Sequence, residues 1–242
     1  MILQIVVLLS SITFVLSESE SVYDCGNKPT GTNCTSSLLG CCDRSFRQAL
    51  GIDSKCNSAA IYDDPDCMRY AIEALYSSAS VDEIFKVCSE FYNFKTCLGR
   101  TFRTCTSARW LIINGKPYTK AELYATIFAQ YNFACGAGLD TFVTYDTCMS
   151  GILGTNSTVL KRCRDEFYIN IQNSPDAKCL FLDQLTACYE KPFLDNCGVE
   201  AGWWGCEYER IGASLFLPEC SPKCVAYQGI SGRGRQAVKK VK

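Results

Sequence analysis

The chain carries 18 cysteines among its 242 residues, and all of them lie beyond residue 24. A large and even number of cysteines is typical of a disulfide framework formed in an oxidising compartment. We therefore expect nine disulfides that use Cys25, Cys34, Cys41, Cys42, Cys56, Cys67, Cys88, Cys97, Cys105, Cys135, Cys148, Cys163, Cys179, Cys188, Cys197, Cys206, Cys220 and Cys224.

The positions of these cysteines restrict how they can pair. Nine lie at or before residue 105 and nine at or after residue 135, with a cysteine-free stretch of 29 residues between them. Because each set is odd, at least one bridge must join the two halves if all cysteines pair within the chain. Two independent domains divided at this stretch are disfavoured. A weak internal repeat, Cys88-x8-Cys97 and Cys179-x8-Cys188, is nevertheless compatible with a degenerate duplication.

Four cysteines that begin at Cys179 recur at equal intervals. On a helix, nine positions advance by about 900° and about 13.5 Å, so Cys179 and Cys188 should point to opposite sides. A disulfide needs Cα atoms within roughly 7 Å, so we predict that the two cysteines bond different neighbours and make the helix a two-sided strut. Pro192 and Gly198 are expected to interrupt the helix, so the interval should lose this meaning at Cys197.

Local patterns favour helices along most of the chain. Helix start signals occur at residues 80–83, 119–122 and 174–175, where Ser or Thr precedes an acidic residue or a proline at the expected position. Apolar residues also recur at helical spacing over residues 68–76 and 159–171. Alternation typical of strands is scarce, and residues 141–145 are the best exception. We predict an all-α fold of short helices, cross-linked by about nine disulfides and joined by long loops.

The ends of the chain differ in composition from its body. Residues 1–17 are uncharged and mostly apolar, which predicts a signal peptide; about 15 apolar residues are too few to span a bilayer. Residues 18–228 are then the disulfide-rich helical domain, and residues 229–242 a flexible basic tail. Five of the 24 basic residues lie in the last ten positions, so the body is mildly acidic. We expect a secreted, extracellular protein with no membrane span and no affinity for nucleic acid.

Several kinds of chemistry are disfavoured by the composition. The chain has no histidine, which removes the usual general base and the commonest metal ligand. It also lacks the Cys-x-x-Cys spacing of redox enzymes. Its only close cysteine pairs are Cys41-Cys42, which cannot easily bind one ion, and Cys220-x3-Cys224, and an oxidising compartment favours disulfides over zinc. We therefore expect no catalytic residues, no metal site and no cofactor. A carbohydrate-cleaving enzyme, which needs only two carboxyl groups, is the hypothesis ranked last.

Three positions are candidates for modification. Asn33 and Asn156 each begin an Asn-x-Ser/Thr sequence, which predicts N-glycosylation in a secreted protein. Ser231 lies in a Ser-Gly-x-Gly sequence of the form used for glycosaminoglycan attachment, but its neighbours are basic and a solvated tail is the favoured interpretation.

Two further motifs can be interpreted either as binding sites or as structural elements. Trp203-Trp204 could stack on a sugar ring, but a core position with the indole nitrogens hydrogen-bonded is favoured. Residues 63–66, with three aspartates, could bind calcium but lack the ligand spacing of a calcium loop, so an acidic turn is favoured.

The segment from Cys179 to Trp204, with residues 131–154 and Cys163, resembles secreted, cysteine-rich helical domains of nematodes. Two families fit: the chondroitin proteoglycan 4-type domain and a widespread nematode secreted domain of unknown function. The resemblance covers residues 80–215 and rests on cysteine spacing and a few aromatic positions. It implies an extracellular product, such as part of a matrix or egg covering, and no known active site.

These observations lead to two main functional hypotheses. The first is a secreted, disulfide-stabilised glycoprotein with a non-catalytic binding or matrix role, whose partner is an extracellular protein or polysaccharide. The alternative is a helical carrier of a small apolar ligand such as a lipid or sterol, which predicts a closed apolar cavity of at least ~300 Å³.

Overall fold

The computed structural model describes residues 23, 25, 32–77 and 80–224, and within these ranges it contains helices and no β-strand. The all-α prediction is therefore confirmed, but the predicted long loops are not found: within the described ranges, only residues 51–64 form a long connection between helices. The predicted signal peptide and basic tail lie outside the described residues. The helices are α1 Ser36–Leu50, α2 Pro65–Tyr76, α3 Val81–Leu98, α4 Phe102–Cys105, α5 Ala108–Ile113, α6 Tyr118–Ala134, α7 Leu139–Thr144, α8 Asp146–Thr155, α9 Ser157–Asn173, α10 Lys178–Cys197 and α11 Val199–Ala213.

The helix patterns in the sequence locate several of these elements. α3 begins at Val81, where the Ser80 hydroxyl accepts a hydrogen bond of 3.3 Å from the backbone N–H of Asp82. The two apolar periodic stretches, residues 68–76 and 159–171, lie within α2 and α9. The ambiguous stretch at residues 141–145 is helical up to Thr144.

Two of the predicted helix starts are displaced. α6 begins at Tyr118, directly after Pro117 in extended geometry, so Thr119 is already inside the first turn and caps nothing. The residue after Ser174 begins a short 3₁₀ turn, Pro175–Ala177, and α10 starts only at Lys178. In both places the fixed φ angle of a proline sets the direction of the backbone before the helix. α6 therefore begins before the residue that the capping pattern predicts, and α10 begins after it.

The prediction that Pro192 interrupts the strut helix is wrong. α10 continues through Pro192 to Cys197 and ends at Gly198, whose φ of 98° favours glycine. The helix is held on both sides of the proline by α11: a Cβ at Gly205 would lie 3.3 Å from the Tyr189 carbonyl oxygen and 2.7 Å from the Phe193 ring, and one at Gly202 would lie 2.9 Å from Leu194 Cβ. This close packing outweighs the lost backbone hydrogen bond.

The main hydrophobic core draws on both halves of the chain. Phe46, Phe94 and Tyr131 are buried in it together with Phe193 and Trp204. Phe94 and the ring of Phe128 stack with centroids 5.1 Å apart. A second, smaller cluster lies between α9, α10 and the segment after α11, and its members are Cys163, Phe167, Leu182, Leu185, Ala213, Leu217 and Cys220.

All 18 cysteines are in disulfides, as expected. The pairs are Cys25–Cys41, Cys34–Cys105, Cys42–Cys97, Cys56–Cys67, Cys88–Cys135, Cys148–Cys197, Cys163–Cys188, Cys179–Cys220 and Cys206–Cys224.

This pairing confirms two predictions drawn from cysteine positions. Cys88–Cys135 is the bridge that joins the first nine cysteines to the second nine. On α10, Cys179 bonds Cys220 while Cys188 bonds Cys163 on α9, so the helix is tied on two sides to different partners. Cys197 is on the same helix and bonds Cys148 on α8, so the prediction that the interval loses its helical meaning there is wrong.

The bridges also repeat in their order along the chain. In each of two sets of six cysteines, the first bonds the fifth, the second bonds the fourth, and the third bonds the sixth. The sets are Cys34, Cys42, Cys88, Cys97, Cys105, Cys135 and Cys148, Cys163, Cys179, Cys188, Cys197, Cys220. The repeated interval, Cys88-x8-Cys97 and Cys179-x8-Cys188, separates the third and fourth cysteines of each set.

Candidate ligand-binding groove

A groove runs between α3 and α6 on the side of the molecule where the crossing disulfide lies. Two adjoining pockets of about 430 and 630 Å³ form it and share Lys95, Ala129 and Asn132. Cys88 on α3 and Cys135 at the end of α6 line one end, so the crossing bridge holds the two walls together. We call this site the Lys95 groove; its other lining residues are Phe91, Tyr92, Phe102, Arg103, Thr106, Ser107, Ala108, Ala125, Phe128, Phe133, Gly136, Ala137, Ile211 and Leu215.

The ammonium group of Lys95 is held at the centre of the groove by aromatic rings. Its Nζ lies 5.4 Å from the centroid of Phe91 and 5.5 Å from that of Phe102. It also donates a hydrogen bond of 3.2 Å to the side-chain oxygen of Asn132. None of these contacts comes from a carboxylate, so they do not neutralise the positive charge of Lys95.

The charge of the groove is opposite to that of the chain body. Lys95 and Arg103 line it, whereas none of its lining residues, all of which are described, is an aspartate or glutamate. Polar groups that can hydrogen-bond a ligand come from Thr106, Ser107 and Asn132. Tyr92, whose side chain is 64% exposed, lies at the edge. The arrangement can therefore hold an anionic group at a cation and stack a ring or sugar face on an aromatic side chain.

A second polar cluster lies in the core rather than at the surface. The buried guanidinium of Arg164 on α9 donates two hydrogen bonds of 2.8 Å to Glu73 of α2 and two, of 2.9 and 2.5 Å, to Glu209 of α11. It also donates to the hydroxyl of Tyr189 at 3.0 Å, and Tyr208 donates to Glu73 at 3.1 Å. This cluster ties four helices together.

The electrostatics of the cluster keep its arginine charged. Burial lowers the pKa of Arg164, but the charges of Glu209 and Glu73 outweigh this effect and hold the pKa well above its ordinary value. Burial raises the pKa of the neighbouring hydroxyls of Tyr189 and Tyr208 well above the ordinary value, so both are neutral donors or acceptors. The cluster is thus an internally satisfied ion pair network with a structural role.

The residues predicted as modification sites have different surroundings. Asn33 is exposed, just before α1, and the Thr35 hydroxyl of its motif accepts a hydrogen bond of 3.3 Å from the Leu38 N–H. Asn156 is half-buried and separates α8 from α9. Ser231 lies outside the described residues.

The sulfur atoms of Cys25, Cys42 and Cys97 lie within 4.8 Å of one another, the spacing of a metal cluster. All three belong to two disulfides, Cys25–Cys41 and Cys42–Cys97, which pack side by side. Their contact is therefore between bridges and offers no thiolate.

The two other motifs are mainly structural. Trp204 is fully buried as expected, but its indole nitrogen has no hydrogen-bond partner among the described residues, which corrects the prediction that both nitrogens are bonded. Its Nε1 faces Gly138, where a Cβ would approach to 2.7 Å. In the acidic turn, Asp64 caps α2 and Asp63 forms an ion pair with Lys116.

Within the described part of the chain, no helix is both long and apolar enough to cross a membrane. The comparisons with known proteins give no relative: no family model, no curated protein and no solved structure matches this chain.

Proposed function

We propose that this protein is a secreted, non-catalytic glycoprotein that binds an acidic extracellular polysaccharide in the Lys95 groove. The observation that carries the proposal is the pair of cations, Lys95 and Arg103, in a groove without acidic lining on a chain with more acidic than basic residues. The nine disulfides and the sequence of residues 1–17 support an extracellular location.

An elongated ligand fits this site better than a compact one. The two pockets adjoin at Lys95, and Arg103 lies in only one of them, so the cations mark successive positions along the groove. A polysaccharide that carries sulfate or carboxylate groups at regular intervals can meet both cations and place a sugar face against Tyr92 or Phe102. The aromatic and hydroxyl groups then add contacts that a free inorganic anion cannot use.

The test is binding of size-defined heparin, hyaluronan and neutral dextran by titration calorimetry. We expect heparin or hyaluronan to bind and dextran not to bind, with affinity falling as salt screens the charges. The Lys95→Gln variant should weaken binding about tenfold, because a charge-assisted contact contributes about 1.5–3 kcal/mol and each 1.4 kcal/mol is a factor of ten.

Because Lys95 also packs between two rings, a second variant separates binding from folding. Arg103 is exposed, so Arg103→Glu should fold normally and still lose affinity. Lys191→Gln is the matched control, since this lysine lies outside the groove and its side chain is 73% exposed. Equal binding by Arg103→Glu and Lys191→Gln would refute the groove as the binding site.

The extracellular part of the proposal has its own test. Expression in a secretory cell line should deliver the protein to the medium, with a mass decrease after treatment with an N-glycosidase. Asn33→Gln and Asn156→Gln should each remove one part of that decrease. Retention inside the cell with no mass change would contradict the prediction of a secreted glycoprotein.

The non-catalytic part is tested with the same polysaccharides. Prolonged incubation should leave their chain length unchanged in size-exclusion chromatography. A progressive shortening that requires the folded protein would instead favour the carbohydrate-cleaving hypothesis.

A further inference from the structure

A second cleft lies on another side of α6, between α6 and α9, and its character is opposite to that of the Lys95 groove. It has a volume of about 480 Å³. Tyr118 and Glu122 of α6 face Tyr168 of α9 and Phe216 after α11, and Asp66 of α2 lies at the edge. We call this site the Glu122 cleft. It is open to solvent at Tyr118, which is 61% exposed, so it is not the closed cavity that a lipid carrier predicts.

The charge balance of the Glu122 cleft is negative. Asp66 and Glu122 both line it. Lys178 lines it too, but its ammonium group already forms an ion pair of 2.5 Å with Glu219. The two carboxylates therefore face the cleft without a free cation among its described lining residues.

Glu122 is the better placed of the two carboxylates. It is half-buried, and partial burial raises its pKa, although a hydrogen bond donated by the Tyr118 hydroxyl opposes that rise. A neutral hydroxyl only partly replaces the hydration that the carboxylate has lost. A cation seated in the cleft would supply the missing counter-charge.

The remaining walls are aromatic and aliphatic. Tyr118, Tyr168 and Phe216 supply three rings, and Leu217 and Ile171 supply apolar surface. Aromatic rings beside a carboxylate are the surroundings that favour a weakly hydrated organic cation over a metal ion or an anion. The apolar surface favours a ligand with a hydrocarbon or aromatic body.

We propose that the Glu122 cleft binds a small organic cation, an amine or quaternary ammonium group on an apolar body. This site is independent of the proposed polysaccharide groove, since the two have no lining residue in common and opposite charge. It also narrows the carrier hypothesis, because the ligand carries a positive charge and is not a neutral lipid or sterol.

The test compares phenyltrimethylammonium with its uncharged isostere tert-butylbenzene, using ligand-observed NMR titration of the full chain. We expect the cation to bind at least about tenfold more tightly, the factor that 1.4 kcal/mol represents. Equal affinity for both probes would overturn the charge argument and leave an apolar site. No binding of either probe would overturn the proposal as a whole.

Variants locate the site. Glu122→Gln keeps the shape and the Tyr118 hydrogen bond but removes the charge, and it should weaken cation binding about tenfold. Asp66→Asn, at an exposed position, should weaken it as well without a risk to folding. Glu166→Gln is the matched control, because this exposed carboxylate of α9 lies outside the cleft. Unchanged affinity in both Glu122→Gln and Asp66→Asn would refute the assignment, and Lys95→Gln should leave cation binding intact.

Discussion

The Arg164→Met substitution should strongly destabilise the fold, because it removes the guanidinium to which two buried carboxylates are hydrogen-bonded. Glu73 and Glu209 are 8% and 4% exposed and both bond to this guanidinium. Removal of one partner from a buried ion pair typically costs about 3–5 kcal/mol. In a chain of this size each kcal/mol lowers Tm by roughly 2–4 °C, so the expected decrease is about 6–20 °C.

The assay is thermal unfolding followed by circular dichroism at neutral pH, with the disulfides intact. The matched control is Arg162→Met on the same helix, where Arg162 and Glu166 are 65% and 62% exposed and 3.8 Å apart. An exposed pair of this kind contributes at most about 1 kcal/mol. If the two variants melt within a few degrees of each other, the argument from the buried cluster is wrong.

A triple variant separates lost charge from lost packing. When Glu73→Gln and Glu209→Gln accompany Arg164→Met, no carboxylate is left without its guanidinium partner, and the buried Arg69 nearby keeps its charge, so part of the lost stability should return. If the triple variant is no more stable than Arg164→Met alone, the cost lies in packing and hydrogen bonding rather than in the uncompensated charges.

Three further predictions test packing, electrostatics and connectivity. Gly138→Ala should destabilise the fold by about 1–3 kcal/mol in the same melting assay, because its methyl group would lie 2.7 Å from the Trp204 indole nitrogen. Gly151→Ala, whose methyl group would have no atom within 4 Å, should instead stabilise α8 by about 0.5–1 kcal/mol. The hydrogen bond from Lys178 lowers the pKa of Glu219, so this pair stabilises the fold above the ordinary carboxyl pKa, and the stabilisation is lost on acidification. The Lys178→Met variant should therefore raise the NMR titration midpoint of Glu219. An unchanged midpoint would contradict the pairing. Peptide mapping without reduction should recover one bridge between the two halves of the chain, and a map with none or three would contradict the described connectivity.

The predictions that agree best with the structure depend on a short stretch of sequence or on the number of cysteines. The bridge between halves follows from odd parity alone, and the different partners of Cys179 and Cys188 follow from helix geometry. The start of α3 follows from the cap at Ser80. The continuation of α10 through Pro192 could not be predicted in this way, because it depends on the close packing of α11 against α10, which the local sequence does not reveal.

The binding sites and the buried cluster could not be predicted because they form between distant helices. Phe91 and Lys95 are one turn apart on α3, which is a visible pattern, but the groove exists only because α6 supplies its other wall. Helical spacing places Arg164, but not the exposed Arg162, on the apolar face of α9. Its partners Glu73 and Glu209 are 91 and 45 residues away, and the sequence does not indicate them. Such pairs become visible only when the helices are packed.

The cysteine-free stretch between the two halves contains the helix on which both proposed sites depend. α6 has buried residues on all its faces, among them Tyr124, Ile127 and Tyr131, and its only disulfide is at its C-terminal end. A helix with buried residues along most of its length is held mainly by packing and needs no cross-link between its ends. Its surface outside the core is divided between two sites: Asn132 faces the Lys95 groove near one end, and Glu122 faces the acidic cleft near the other. The stretch that resembles a division in the sequence is therefore the shared wall of both sites, and the Cys88–Cys135 disulfide ties α3 to its C-terminal end.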